Sequence, residues 1–325
     1  MESSRTLITG GSGFIGTNLV ENLLSKQVEL LNLDIKPPKI AEHTPYWRQC
    51  DIRDENQVIT LFKEFQPSVV IHLAAKTDLN GKVLEDYSAN IEGVENVINA
   101  TANCNNLMLC LFASTRLVNR IGYTPKTDDD YCPTTLYGES KMAGEKIVRA
   151  NATKIPCPWL ILRPTSIWGP WFGTPYNDFF MSVIHSYYIH PKNRSIKKSF
   201  GYIGNAVYQI NRLLDDFPVE FDKKTMYLCD YEPINVYEWS KQIANSYGNR
   251  PPMQVDLGLL KLIAKFGDLL KKLGYREPPL TTFRLNNILT NMIYDTQAME
   301  KHCGELPFSQ SEGTLETLDW IAQHK

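Results

Sequence analysis

The chain has 325 residues, of which 43% are hydrophobic and 22% charged, an ordinary globular balance that excludes disordered and fibrous classes. A net charge of −2 gives no whole-chain attraction to nucleic acid or to an anionic membrane. Seven scattered cysteines without a C-x-x-C pair, and histidines without ligand spacing, argue against a disulfide frame or a metal site and for reduced thiols in a cytoplasmic protein.

Taken in chain order, residues 1–5 lead at once into a strand at 6–9, so no leader peptide is expected. Helical and strand patterns then alternate: helix 14–25, strand 29–34, helix 55–65, strand 69–73, helix 87–103, strand 107–113, helix 134–150 and strand 159–163. Each strand-to-strand step spans roughly the thirty residues of a βαβ unit, which predicts a doubly wound α/β parallel sheet covered on both faces. After Arg163 the rhythm breaks at Gly169-Pro170, Gly173-Thr174-Pro175 and Pro191, and a strand at 225–229 and a helix at 237–247 follow. The expected division is a dinucleotide domain over 1–165, its sheet completed by parts of 200–235, and a smaller interleaved substrate-binding domain over 166–325. No run approaches the roughly 20 apolar residues of a membrane span.

Thr9-Gly10-Gly11-Ser12-Gly13-Phe14-Ile15-Gly16 follows the first strand and opens the first helix. In that context Gly10 permits the tight turn, Gly13 lets the backbone approach a pyrophosphate, and Gly16 allows close helix–strand packing. The amides at the helix N-terminus point at the phosphates. Asp34 ends the second strand, placed to accept from a ribose hydroxyl and to repel a 2′-phosphate, so NAD is favoured over NADP, with Lys36 two residues on softening the preference.

Tyr137-Gly138-Glu139-Ser140-Lys141 puts a phenol and an ammonium on one helix face. A phenol with pKa about 10 is a poor base at neutral pH. An adjacent ammonium stabilises the phenolate and suits it to taking a proton from a hydroxyl. Ser114-Thr115, at the end of a strand, supplies a hydroxyl that can hydrogen-bond the reacting oxygen.

With these motifs stand Cys50-Asp51-Ile52-Arg53-Asp54, His72-Leu73-Ala74-Ala75, Asn90-Ile91-Glu92-Gly93 and Leu162-Arg163-Pro164. In this order they resemble the extended short-chain dehydrogenase/reductases, the NAD-dependent epimerase/dehydratase family that modifies nucleotide sugars. The resemblance implies a Rossmann-type fold, NAD as cofactor and a homodimer paired through the Tyr137 helix and the 87–103 helix. It gives Tyr137 the role of general acid/base and Thr115 the family's Ser/Thr place. Lys141 would bind the nicotinamide ribose and depress the tyrosine pKa. Asp51 and Ile52 would flank the adenine, Leu73, Ala74, Ala75, Lys76 and Asn90 would line the cofactor, and Pro164 would lie near the nicotinamide.

Departures from the family narrow the reaction. Its 4,6-dehydratases carry Asp-Glu after the catalytic threonine and its decarboxylating members keep a glutamate, whereas this chain reads Thr115-Arg116-Leu117. Elimination lacks its carboxylates, while epimerisation through a transient keto intermediate needs only the groups present. The expected function is therefore NAD-dependent epimerisation of a nucleotide sugar. The alternatives are a ketoreductase or dehydrogenase of a keto-sugar nucleotide or steroid-like alcohol, and a non-catalytic NAD-binding regulator. Val118-Asn119-Arg120 replaces the usual Val-Tyr-Gly, and Ser166 stands where many members have an asparagine on the substrate. Ser166, Asn177 and Lys198 are the candidate substrate contacts, Lys198 as a point charge for a diphosphate within the basic cluster Lys192, Arg194, Lys197 and Lys198. Residues 256–274 predict a basic amphipathic helix, read as packing on its own domain or forming a lid, with a membrane surface as the alternative.

Overall fold

Runs of leucine and β-branched residues that are apolar on both faces form strands only where helices cover both sides. Strands β1 (Arg5–Thr9), β2 (Glu29–Asp34), β4 (Val69–His72), β5 (Leu109–Ala113) and β6 (Trp159–Pro164) of the computed structural model are of this kind. The structure describes residues 5–174, 176–275 and 280–324; residues 1–4, which carry the leader-peptide expectation, and Pro175 lie outside them. A short strand, β3 (Trp47–Gln49), and a strand at Lys224–Leu228 complete a seven-stranded sheet. Its order is Lys224–Leu228, β6, β5, β4, β1, β2, β3, and its ladders are parallel. Chain order reverses between β1 and β4, so ligands are expected beyond the carboxyl ends of those two strands.

Helices α1 (Phe14–Ser25), α2 (Glu55–Phe65), α3 (Glu92–Thr101) and α4 (Leu136–Ala150) are the crossovers. A core of Leu33, Val58, Phe62, Val70, Val97, Ile98, Phe112 and Trp159 fills one face of the sheet. The single helix expected over 87–103 is corrected. Residues Leu84–Asn90 wind as a 3-10 turn with Tyr87 off helical geometry, and α3 begins only at Glu92. Sequence periodicity missed the break because its cause is tertiary: the Asn90 side chain is bonded across the fold to Lys76 and Ser140.

The chain forms two compact units, one of residues 1–167, 201–230 and 295–307, the other of 168–200, 231–294 and 308–325. The second is built on an aromatic cluster in which Trp239 lies 4.8 Å from Trp168 and 5.4 Å from Phe180, ring centre to ring centre. It carries two small ladders, Ile189–Pro191 with Met253–Val255 and Lys197–Lys198 with Ile234–Asn235. All seven cysteines are free.

Candidate active site

β1 ends at Thr9 and the chain turns through Gly10 at φ +80°, a setting that costs glycine nothing and other residues much. A Cβ at Gly10 would sit 2.5 Å from the Ala74 backbone nitrogen, so the turns after β1 and β4 meet backbone to backbone. A Cβ at Gly16 would overlap the backbone of Gly10 and Gly11. At Gly13 an added Cβ meets only the Gly10 carbonyl, at 3.2 Å. Gly13 is also the N-cap of α1 with no side chain capping it, so Phe14 and Ile15 open a helix end suited to an anion.

Two side chains of β2 fasten this loop. Buried Asn32 accepts from Gly11 N through Oδ1 (2.8 Å) and donates to Ser12 Oγ through Nδ2 (3.2 Å). Asp34 accepts from Ser12 N through Oδ2 and from Lys36 N through Oδ1, each at 3.0 Å. A glycine turn open at one position, an uncapped helix N-terminus and a carboxylate at the strand tip fit a dinucleotide. Asn32 was not singled out from sequence, although an asparagine inside an apolar strand demands a partner and is thereby a signal.

Other cofactor candidates are variously engaged. The Asp51 carboxylate accepts from Arg53 Nε (3.0 Å), and the Arg53 guanidinium holds it below the ordinary aspartate value. Ile52 is buried against Gly93 of α3. Leu73 N donates to Thr9 O (2.9 Å) and Ala74 N to Thr9 Oγ1 (3.3 Å), while Leu73, Ala74, Ala75 and Lys76 are half-buried. Asn90 exchanges bonds with Lys76, accepting from its N (2.8 Å) and donating to its O (3.0 Å). It also donates to Ser140 Oγ (2.9 Å), which donates to Tyr137 O (2.7 Å). Asn90 therefore joins the segment after β4 to α4. Pro164 ends β6, half-buried, and Ser166 is buried beyond it.

Thr135 caps α4 by accepting from Gly138 N (3.0 Å), which brings Tyr137 into the first turn and Lys141 one turn on. Both side chains are buried. Lys141 Nζ donates to Ala113 O at the end of β5 (2.7 Å), and burial lowers its pKa to about 8, with Glu145 opposing the fall. Gly138 has no room for a Cβ because the Leu117 carbonyl occupies that space, so the turn carrying Thr115 rests on the start of α4. Thr115 is buried and its Oγ1 accepts from Leu117 N (3.2 Å), leaving the hydroxyl proton for another acceptor. The structure thus gathers Thr115, Tyr137 and Lys141 within one unit. Tyr87 lies beside Tyr137, ring centres 6.2 Å apart, and its hydroxyl donates to Asp78 O (2.8 Å) and accepts from Gly81 N (3.1 Å). His72, behind the site, pairs its Nδ1 with Thr9 Oγ1 (2.7 Å); burial and Lys141 push its pKa down to about 3, so it is neutral.

Sequence reasoning missed a buried charge network. Glu145, one turn past Lys141, accepts from Arg163 Nε (2.9 Å) and Nη2 (2.8 Å), from Ser114 Oγ and from Tyr131 Oη (3.0 Å). Arg163 in turn donates to Asp128 O (2.6 Å). An arginine inside the buried strand β6 was the available signal, since such a charge requires a counter-charge. Arg116, next to Thr115, is 9% exposed, and its Nη1 is buried without a hydrogen-bond partner among the described residues.

Asn177 and Lys198 belong to the second unit. Asn177 lies in the first turn of the helix Tyr176–Ile184, its N donating to Gly173 O (3.1 Å). Lys198 is buried, with Nζ donating to Asn287 O (2.9 Å) in the last turn of the helix Thr282–Leu289, whereas Lys192, Arg194 and Lys197 are exposed. Among the described residues no three His, Cys, Asp or Glu side chains could together hold a metal ion.

The sequence profile of the NAD dependent epimerase/dehydratase family matches residues 6–204, more than half of the chain. A 3-beta-hydroxysteroid dehydrogenase from Mycolicibacterium neoaurum is 26% identical over 96% of this chain and 89% of its own length. An N-acetyl-alpha-D-glucosaminyl-diphospho-ditrans,octacis-undecaprenol 4-epimerase from Escherichia coli O157:H7 is 23% identical over 99% of this chain and 96% of its own. Among solved structures, the UDP-glucose 4-epimerase of Thermus thermophilus in complex with NAD superposes with a TM-score of 0.72 at 20% identity, covering 98% of this chain and 99% of that one.

Proposed function

Because the chain belongs to the NAD dependent epimerase/dehydratase family, we propose that it epimerises a diphosphate-linked sugar through a transient keto intermediate, with Tyr137 as the acid/base. The observation that carries this reading is that Tyr137 and Lys141 lie one turn apart on α4, whose start packs against the turn carrying Thr115, while Glu145 further along that helix is held by Arg163 and Ser114. Elimination of water needs a free carboxylate beside the ring. Epimerisation needs only a proton carrier and a reversible hydride.

Gly10, Gly13, Phe14, Ile15, Gly16 and Asp34 would hold the cofactor's phosphates and ribose, with Asp51, Ile52, Leu73, Ala74, Ala75, Lys76, Asn90 and Pro164 along its length. When bound, NAD supplies reversible hydride transfer at the carbon bearing the substrate hydroxyl. Tyr137 Oη takes that hydroxyl's proton and later returns it to the carbonyl oxygen, while the Thr115 hydroxyl donates to the same oxygen. Lys141 spends one N–H on Ala113 O and keeps two donors and its charge for a ribose and for the phenolate. The tyrosine thereby works nearer neutral pH than its ordinary value allows. Ser166, Asn177 and Lys198 are the proposed contacts to the rest of the substrate, and α3 and α4 the proposed seam of a homodimer.

Arg116 supports an anionic substrate. A guanidinium taken from water without a counter-ion is costly, and a bound diphosphate would offset that cost. Arg116→Met is expected to raise KM for a sugar diphosphate about 10- to 100-fold, with kcat little changed and the thermal midpoint level or higher. Steady-state kinetics and a melting scan check it, and an unchanged KM would remove Arg116 from the site.

The reading as a whole is tested by denaturing the purified protein and quantifying the nucleotide released. An epimerase returns its hydride to the same substrate, so near one NAD(H) per chain is expected. Protein that emerges empty and takes up NADH reversibly would favour instead a dehydrogenase of a steroid-like or keto-sugar substrate, as the M. neoaurum relative's name suggests. Failure to bind any dinucleotide would overturn both.

A further inference from the structure

The helix Leu257–Lys272 begins at Asp256, whose Oδ1 accepts from Gly258 N (2.7 Å). Its buried residues are Leu260, Ala264 and Gly267, the first two in a small cluster with Leu285, Val255, Leu280 and Leu289, and Leu257 and Leu270 are half-buried. Of the expected stripe, Leu260 is buried and Leu270 half-buried, whereas Leu259, Ile263, Phe266 and Leu273 are exposed and do not pack on the domain. Six large apolar side chains are exposed to solvent. Leu262 is 66% exposed, Phe266 59% and Leu273 75%, with Leu259, Ile263 and Leu269 exposed beside them.

At about 100° per residue these six fall in one arc of about 120°, and Lys261, Lys265 and Lys272 fall together along one edge of it. All three lysines are exposed. The helix's one acid, Asp268, lies outside the apolar arc and accepts from Thr282 N (3.2 Å) at the start of the next helix. Thus one surface element joins a continuous apolar face to a basic margin on a chain whose net charge is −2. Soluble monomers rarely expose apolar patches of this extent without a use for them.

We propose that this helix seats the protein on an anionic lipid bilayer, lying in the plane of the interface. The apolar arc enters the boundary between headgroups and acyl chains, and the lysine margin meets the anionic headgroups at the same depth, its stems reaching along the apolar surface. Charge complementarity selects this occupant. A second copy of the chain would cover the leucines but bring the same three lysines to a self-complementary contact, where the one acid beside them, Asp268, already bonds Thr282 N. Among the described residues no helix is long and apolar enough to cross a membrane, so the association is peripheral. The inference stands apart from the reaction assigned to the Tyr137 site.

The test uses the full chain as purified, floated with vesicles of phosphatidylcholine alone or with about 30 mol% phosphatidylglycerol. The wild type is expected to rise with the anionic vesicles and to stay down with neutral ones, its binding falling as salt is raised. L262E/F266E, altered only at exposed positions, is expected to lose flotation while keeping its melting midpoint and NAD(H) content. K261Q/K265Q/K272Q is expected to bind on the order of 100-fold more weakly, at about fivefold per lysine. Wild type that stays down with anionic vesicles, or a double variant that floats like wild type, overturns the proposal. So does a wild type that fails to float and whose molar mass by light scattering falls on L262E/F266E, since the face would then join two copies.

Discussion

Replacing Tyr137 by phenylalanine is expected to lower turnover about 1,000-fold while leaving close to one NAD(H) bound per chain. The substitution removes one oxygen and little else. The ring keeps its place beside Tyr87, the main-chain carbonyl still accepts from Ser140, and Lys141 still donates to Ala113. What is lost is the atom proposed to receive the proton as the substrate hydroxyl becomes a carbonyl. Parallel measurement of parental and variant turnover, with the nucleotide released on denaturation, checks both halves. A variant with more than about a tenth of parental turnover would take Tyr137 out of the acid/base role, since positioned general acids and bases contribute at least about 100-fold. Loss of NAD(H) along with turnover would mean that the residue mainly holds cofactor.

The second large effect is on stability. Glu145→Leu is expected to cost about 3–5 kcal/mol, because it leaves the Arg163 guanidinium buried with no counter-charge and strips the acceptor from Ser114 and Tyr131. At roughly 2–4 °C per kcal/mol for a unit of this size, the melting midpoint should fall on the order of 10 °C. Glu145→Leu combined with Arg163→Met should recover more than half of the loss, since the expense lies in the orphaned charge more than in the missing attraction. Calorimetry of the two single variants and the double variant decides it. Strict additivity would show that Glu145 and Arg163 do not act as a pair.

The sheet was legible in the sequence because its strands are buried on both faces and announce themselves as apolar runs, β2 over Glu29–Asp34 with the expected bounds. The glycine turn was legible because a positive φ at Gly10 and backbone packing at Gly16 leave few other residue choices. Tyr137 and Lys141 showed through their spacing on one helix face. What stayed hidden depends on chain segments far apart in sequence. Asn90 breaks its helix to reach Lys76 and Ser140, fifty residues from the latter. Glu145 meets Arg163 only once β6 lies beside α4. The hydrophobic period of the Leu257–Lys272 helix marked it as amphipathic, yet period alone cannot say whether a stripe faces a core or solvent. That depended on Leu260, Ala264 and Gly267 forming the narrow inner edge.

The order in which the sheet is assembled matters to a chain still leaving the ribosome. β6 ends at Pro164, but the strand that covers its outer edge, Lys224–Leu228, is translated some sixty residues later. At about 5–20 residues per second the nascent chain carries a largely apolar strand with its outer edge unpaired for several seconds. For that interval the outward backbone groups along Leu160–Pro164 are open to any extended segment, including one from a neighbouring nascent copy. The delay lies in the interleaving itself, since residues 168–200 must be synthesised for the second unit before the first can close.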